Sequence, residues 1–148
     1  MGVRREGREA AIQFLYQRDL GGAAEIKDLA EFYAFRGLSP AARRFSQQLV
    51  EGTVKELPKI DTLIQEHAQN YKLERLSAVD RNVLRLAIYE MTSCPDTPPV
   101  VAINEAINIA KKYGTEESGR FVNGILDHIK KNVLRPARPA APNPVLSS

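Results

Sequence analysis

Apolar positions recur every three or four residues along most of the chain, a period that predicts helices rather than strands. From the arginines near the start to Leu20, the residues Ala11, Ile12, Phe14 and Leu15 make one buried side, and Gly21-Gly22 close the segment. A second helix over Glu25 to Phe35 carries Ile26, Leu29, Ala30 and Tyr33 in the i, i+3, i+4, i+7 pattern, with Gly37 behind it. Ser39-Pro40 combines an N-cap with a proline at the first helical position and launches a third, whose packing face is Phe45, Leu49, Val50, Thr53, Val54 and Leu57. Pro58 interrupts that face, because it lacks an amide donor and clashes with the preceding turn. A fourth stripe follows in Ile60, Leu63, Ile64, His67 and Tyr71.

Ser77, with Asp80 three residues on, resembles a capping box using Asp in place of Glu, and Val79, Val83, Leu84, Ala87, Ile88 and Met91 continue it as a fifth buried face. Ser93 to Pro99 is a turn-rich break. Beyond it lie two short helices joined by one glycine. The first, Val101 to Tyr113, packs Ala102, Ile103, Ala106, Ile107, Ala110 and Tyr113 and turns Asn104, Glu105, Asn108, Lys111 and Lys112 away. Gly114 is placed for a left-handed C-cap, and Thr115 for an N-cap followed by Glu116 and Glu117 in the first turn. The second carries Phe121, Val122, Ile125, Leu126 and Ile129. Its Gly119 and Gly124 each cost about 1 kcal/mol relative to alanine, which suggests that another backbone comes close. With no convincing alternating segment, the expectation is an all-α fold of about seven helices. From Pro136 onward four prolines among alanines offer no helical face, so residues 1–134 are read as the folded domain and 135–148 as a disordered tail.

A chain of 148 residues is long enough for one domain with its own core. The single Cys94 cannot form an internal disulfide, and with no secretory segment or long apolar run the chain reads as cytoplasmic, with no membrane partner. His67 and His128 lack the paired spacing of a zinc site, so neither a metal nor a cofactor is expected. No Ser/His/Asp order or paired carboxylates stand out as catalytic. Gly114 and Gly119 have the outer spacing of a phosphate-binding loop, but Arg120-Phe121 follows where Lys-Ser or Lys-Thr is required, and a helix precedes where a strand belongs. The net charge of +3, from 21 basic and 18 acidic residues, is a poor argument for nucleic acid by itself. Its distribution says more, because Arg4, Arg5 and Arg8 open the chain and Lys130, Lys131, Arg135 and Arg138 follow Asp127 without another acid. Arg4, Arg5 and Arg8 fall on neighbouring positions of one helix face and could clamp a phosphate backbone, or could pair with Glu6 and Glu9.

The runs VAINEAI, AKKYG and ESGRFVNGILD, between Val101 and Asp127, resemble the C-terminal part of the NusB family of bacterial transcription antitermination factors. VDRNVLRLAIYEM, from Val79 to Met91, is similar to the preceding helix of that family, and RREGREAAIQFLYQRDL, from Arg4 to Leu20, to its N-terminal arginine-rich helix. Between Gly21 and Tyr71 the helices are compatible but carry no equally distinctive words. The resemblance implies two small helical bundles packed together, dividing near Pro58. It also implies a noncatalytic adaptor that binds boxA RNA of nascent ribosomal RNA transcripts together with the ribosomal small-subunit protein NusE, and then joins other Nus factors on RNA polymerase.

By that resemblance Arg4, Arg5 and Arg8 bind RNA, with further contacts from Tyr16, Glu117 and Phe121. Lys111, Lys112 and Arg120 are possible phosphate contacts, and Asp80, Arg81 and Arg85 are carried over as partner contacts. Replacing the three N-terminal arginines by alanine is then expected to lower RNA affinity while sparing the fold. Glu6 departs from the family, standing where a basic residue is usual. Phe121 fits either a core or an RNA-contacting position; Tyr16 is equally open, and Asn104 and Asn123 read better as helix-end hydrogen-bonding groups. Two rivals remain. A similar helical domain precedes the catalytic domain of some RNA cytosine methyltransferases, though no room for such a domain follows Asp127. A protein-only helical scaffold that has lost RNA binding is the other. Some family members form homodimers that cover the RNA surface, and both states stay open here.

Overall fold

The computed structural model describes residues 2–21, 26–68 and 70–134. Among them are seven α-helices and no strand: α1 (Val3–Asp19), α2 (Leu29–Arg36), α3 (Pro40–Lys55), α4 (Leu57–His67), α5 (Ala78–Ser93), α6 (Pro99–Tyr113) and α7 (Glu116–Ile129), with a π-helical turn over Lys130–Leu134 after α7. The expected all-α architecture is therefore present. The expected tail, including Arg135 and Arg138, lies outside the described residues, as do Gly22 and Glu25.

Local signals account for most helix starts. The hydroxyls of Ser39, Ser77 and Thr115 accept from the amides of Ala42, Asp80 and Ser118, at 3.2, 3.1 and 3.1 Å, and each satisfies one of the amides a helix leaves unpaired at its start. Pro40 and Pro58 occupy the first turns of α3 and α4, where a missing amide costs nothing. The second helix begins later than expected. A 3₁₀ turn over Ile26–Asp28 precedes α2, of which Leu29 and Tyr33 are buried and Ala30 is exposed.

Helices α1 to α3 make one bundle and α4 to α7 the other. Helix α5 joins them, touching α1 and α3 on one side and α4, α6 and α7 on the other. Burial nearly all round is the mark of a central helix. Val83, Leu84, Leu86, Ala87, Ile88 and Met91 of α5 are buried, and so are Asn82, Arg85 and Glu90. Close approach of α1 to α3 depends on Gly7, where a Cβ would meet a Phe45 ring carbon at 2.8 Å and the Ala42 carbonyl at 3.1 Å. In the α6–α7 hairpin, Ile109 is buried and Ile107 only half so.

The glycines of this hairpin differ from expectation. Gly114 is not left-handed: its φ of −119° leaves crowding as the reason for glycine, since a Cβ would sit 2.6 Å from the Ser118 hydroxyl and 2.8 Å from the Ala110 carbonyl. At Gly119 the nearest neighbours among the described residues are not backbone. The aliphatic stem of Lys111 lies over Gly119, where a Cβ would meet its Cγ at 2.8 Å, and among the described residues nothing stands within 4 Å of where a Cβ would be at Gly124.

Candidate nucleic-acid interface

Helix α1 lies beside α6, and side chains cross between them as a charged ladder. The Arg5 guanidinium donates through Nε and Nη2 to the two carboxylate oxygens of Glu105, at 3.2 and 3.1 Å. One turn on, Glu9 accepts from Lys112 Nζ at 3.0 and 3.1 Å and from the Tyr113 hydroxyl at 2.9 Å. These bonds hold the cations in charged form: the hydrogen bond to Glu105 raises the Arg5 pKa, and that to Glu9 raises the pKa of Lys112. Arg4 is exposed with its guanidinium 4.8 Å above the Phe45 ring, and no carboxylate among the described residues is within ion-pair distance of it.

Arg8 occupies a different position from the expected clamp. It is 4% exposed and forks onto Glu90 of α5, itself 1% exposed, through Nε at 2.9 Å and Nη2 at 2.6 Å. Its guanidinium also stands 5.3 Å from the Phe45 ring centre. A backbone phosphate cannot reach it without displacing that carboxylate. Removing Arg8 would strand a buried charge, so the three arginines cannot be exchanged for alanine together and leave the fold untouched. Neither Arg5 nor Arg8 pairs with Glu6 or Glu9; their carboxylates come from α5 and α6.

The surface continues from α6 to α7. Lys111, draped over Gly119, reaches Glu116 at 3.8 Å, and Glu117 and Arg120 form an exposed pair at 3.6 Å. Phe121 is half-buried. Part of its ring packs on the core, and Tyr71, 52% exposed, meets it edge-on with centroids 5.4 Å apart. Around them Arg120, Gly124, His67 and His128 line an open groove. Tyr16 is half-exposed in a second groove, an apolar one shared with Ile12, Gln13, Gln17, Val79 and Tyr113. Asn104 and Asn123 are exposed.

The three residues expected at a protein partner turn mostly inward. Arg81 donates to Asp19 at 2.7 Å and to the carbonyls of Leu73 and Leu76 at 3.1 and 2.9 Å. Arg85 forks onto Asp61 at 2.9 and 3.0 Å and stands 3.4 Å from Asp19. They tie α5 to the end of α1 and to α4. Burial works to raise the pKa of Asp19, but hydrogen bonds from Arg81 and Asn82 and the charges of Arg85 and Arg81 outweigh it and hold the carboxyl below its ordinary range. Asp80 follows Val79, which lines the apolar groove, in the first turn of α5. Its Oδ1 is buried without a hydrogen-bond partner.

Asp19, Asp61, Glu90 and Glu105 were not expected at this site. Nothing local in the sequence marks them, because each meets its partner across the fold. Among the described residues no group of three or more His, Cys, Asp or Glu gathers to hold a metal, and no helix is long and apolar enough to cross a membrane. What the arrangement offers is a surface of cations and half-exposed aromatic rings, suited to phosphates and unstacked bases.

The NusB family model matches residues 5–131. A transcription antitermination protein NusB of Myxococcus xanthus is 43% identical over 140 residues, covering 92% of this chain and all of the relative. A NusB structure from T. maritima superposes with a TM-score of 0.80 at 42% identity, over 87% of this chain and 91% of that one. A structure of antitermination factors NusB and NusE in complex with double-stranded RNA matches with a TM-score of 0.80 at 30% identity, over 87% and 96% of the two chains. With the matched span taking in α1 from Arg5 onward, the central α5 and the whole α6–α7 hairpin, the chain belongs to the NusB family.

Proposed function

We propose that this protein is a transcription antitermination factor that binds boxA RNA of nascent ribosomal RNA transcripts jointly with NusE and joins other Nus factors on RNA polymerase. It performs no chemical step. Its contribution is assembly: a tethered RNA and a protein partner each bury part of one surface and raise the complex's concentration at the polymerase. The observation that carries this reading is the set of exposed cations on neighbouring helices, Arg4 and Arg5 on α1, Lys111 and Lys112 on α6 and Arg120 on α7, with Glu117 and the half-buried Phe121 beside the last of them. Arg8 acts beneath that surface as a positioning residue, fixing α1 against α5. Asp80 and the apolar groove holding Tyr16 make the better partner surface, so Tyr16 is assigned to the boundary between protein and RNA. Arg81 and Arg85 support that surface from inside.

A protein-only scaffold is the second reading, favoured by one observation: Arg5, Arg8 and Lys112 already have carboxylates of their own. Fluorescence anisotropy of labelled boxA RNA and a scrambled control, with and without NusE and across several salt concentrations, separates the two. Preferential boxA binding that NusE strengthens and salt weakens is expected. Equal binding of both RNAs with NusE present overturns the RNA role. Size-exclusion chromatography with light scattering on the same protein tells a monomer from an RNA-occluding homodimer.

A further inference from the structure

His67 ends α4 and His128 lies in the last turn of α7, 61 residues apart in sequence, yet their Nδ1 atoms are 2.7 Å apart. Their rings meet at 66° with centroids 4.8 Å apart, on the rim of the open groove that also holds Asn70 and Phe121. One Nδ1 must carry the proton and the other the lone pair. Both therefore converge on one point at the surface, with an exchangeable proton between them.

From this convergence the geometry points to a two-histidine site for a late first-row divalent transition ion, Cu²⁺ above all, which takes the place of the proton between the rings as the ring that carried it shifts that proton to its Nε2. Imidazole is a favoured ligand for such ions, and Cu²⁺ stands at the top of the usual affinity order. Bonds of about 2.0–2.1 Å at angles between the square and tetrahedral values require the two nitrogens to be about 2.9–3.3 Å apart. The observed separation reaches that span with a rotation of two surface side chains and no movement of either helix. Since no third His, Cys, Asp or Glu among the described residues joins the pair, water completes the coordination and exchange stays open. Cys94 is a weak competitor, because burial pushes its thiol pKa up.

Tag-free protein titrated with Cu²⁺ in a non-coordinating buffer tests the site by isothermal calorimetry, with electron paramagnetic resonance on the one-to-one complex. The expected result is one equivalent bound with nitrogen hyperfine structure from two imidazoles. His67→Asn and His128→Asn should each weaken it by at least about 10-fold, while Cys94→Ser leaves it unchanged. A melting temperature that rises with the ion in the parent protein, but not in either histidine variant, is the expected companion result, because the ion staples α4 to α7. Absence of binding, binding that survives either histidine variant, or binding lost in Cys94→Ser would each overturn the assignment.

Discussion

Breaking the Arg8–Glu90 pair should damage the fold first and RNA binding only through it. An exposed ion pair contributes at most about 1 kcal/mol. This one belongs to another class, with side-chain exposures of 5% and 1% and a 2.6 Å contact. Replacing Arg8 by methionine removes the charge while keeping an unbranched apolar side chain, and it leaves Glu90 buried without its cation. The expected loss is about 3–5 kcal/mol in urea unfolding, with a melting temperature lower by on the order of 10 °C. Glu90→Leu should cost a similar amount. Because two apolar side chains in place of a buried pair are often close to neutral, Arg8→Met/Glu90→Leu should be at least about 2 kcal/mol more stable than the sum of the singles predicts. Circular dichroism at matched urea concentrations gives all four corners of the cycle. Single losses below about 1 kcal/mol, or strict additivity, would refute the reasoning, since either would mean that the pair is solvated.

Three further outcomes are expected. Gly7→Ala should destabilise by about 1–3 kcal/mol, because the added methyl forces α1 off the Ala42 carbonyl and Phe45; urea unfolding with an unchanged midpoint would show that the crossing has slack. Asp19 has a folded-state pKa below its ordinary 3.8, so it contributes stability above that pH which is lost as the pH falls through the folded value. Asp19→Asn should accordingly flatten the acid limb of stability against pH, and an unaltered limb would remove Asp19 from the account. Glu105→Gln frees Arg5 for phosphate and should tighten boxA binding while steepening its salt dependence; weaker binding in anisotropy would mean that Glu105 orients Arg5 rather than competing for it.

How much of this was legible depends on how far apart the interacting residues lie in the chain. The caps at Ser39, Ser77 and Thr115 are encoded within four residues, and the chain alone identifies them. The apolar stripes of α5 and α7 are equally local. Arg8 and Glu90, 82 residues apart, are not: an arginine near other arginines looks like surface until the fold supplies its carboxylate. For the same reason Arg81 and Arg85 resemble an exposed helix face while reaching Asp19 and Asp61. Gly114 shows a subtler limit, since a glycine at a helix end suggests a left-handed cap, whereas the actual demand comes from crowding by Ser118 and Ala110.

The carboxylates laced through the α1–α6 ladder bear on how such a protein behaves in a cell crowded with ribosomal and messenger RNA. A surface of unopposed arginines would hold any polyanion, and sequence preference would be swamped by the excess of irrelevant phosphate. On the proposed RNA-binding role, Glu9 and Glu105 would keep Lys112 and Arg5 engaged until a ligand supplied enough simultaneous contacts to exchange for both. Restraint of this kind sacrifices raw affinity for a low background, and leaves the decision to the right bases and the right protein neighbour arriving together.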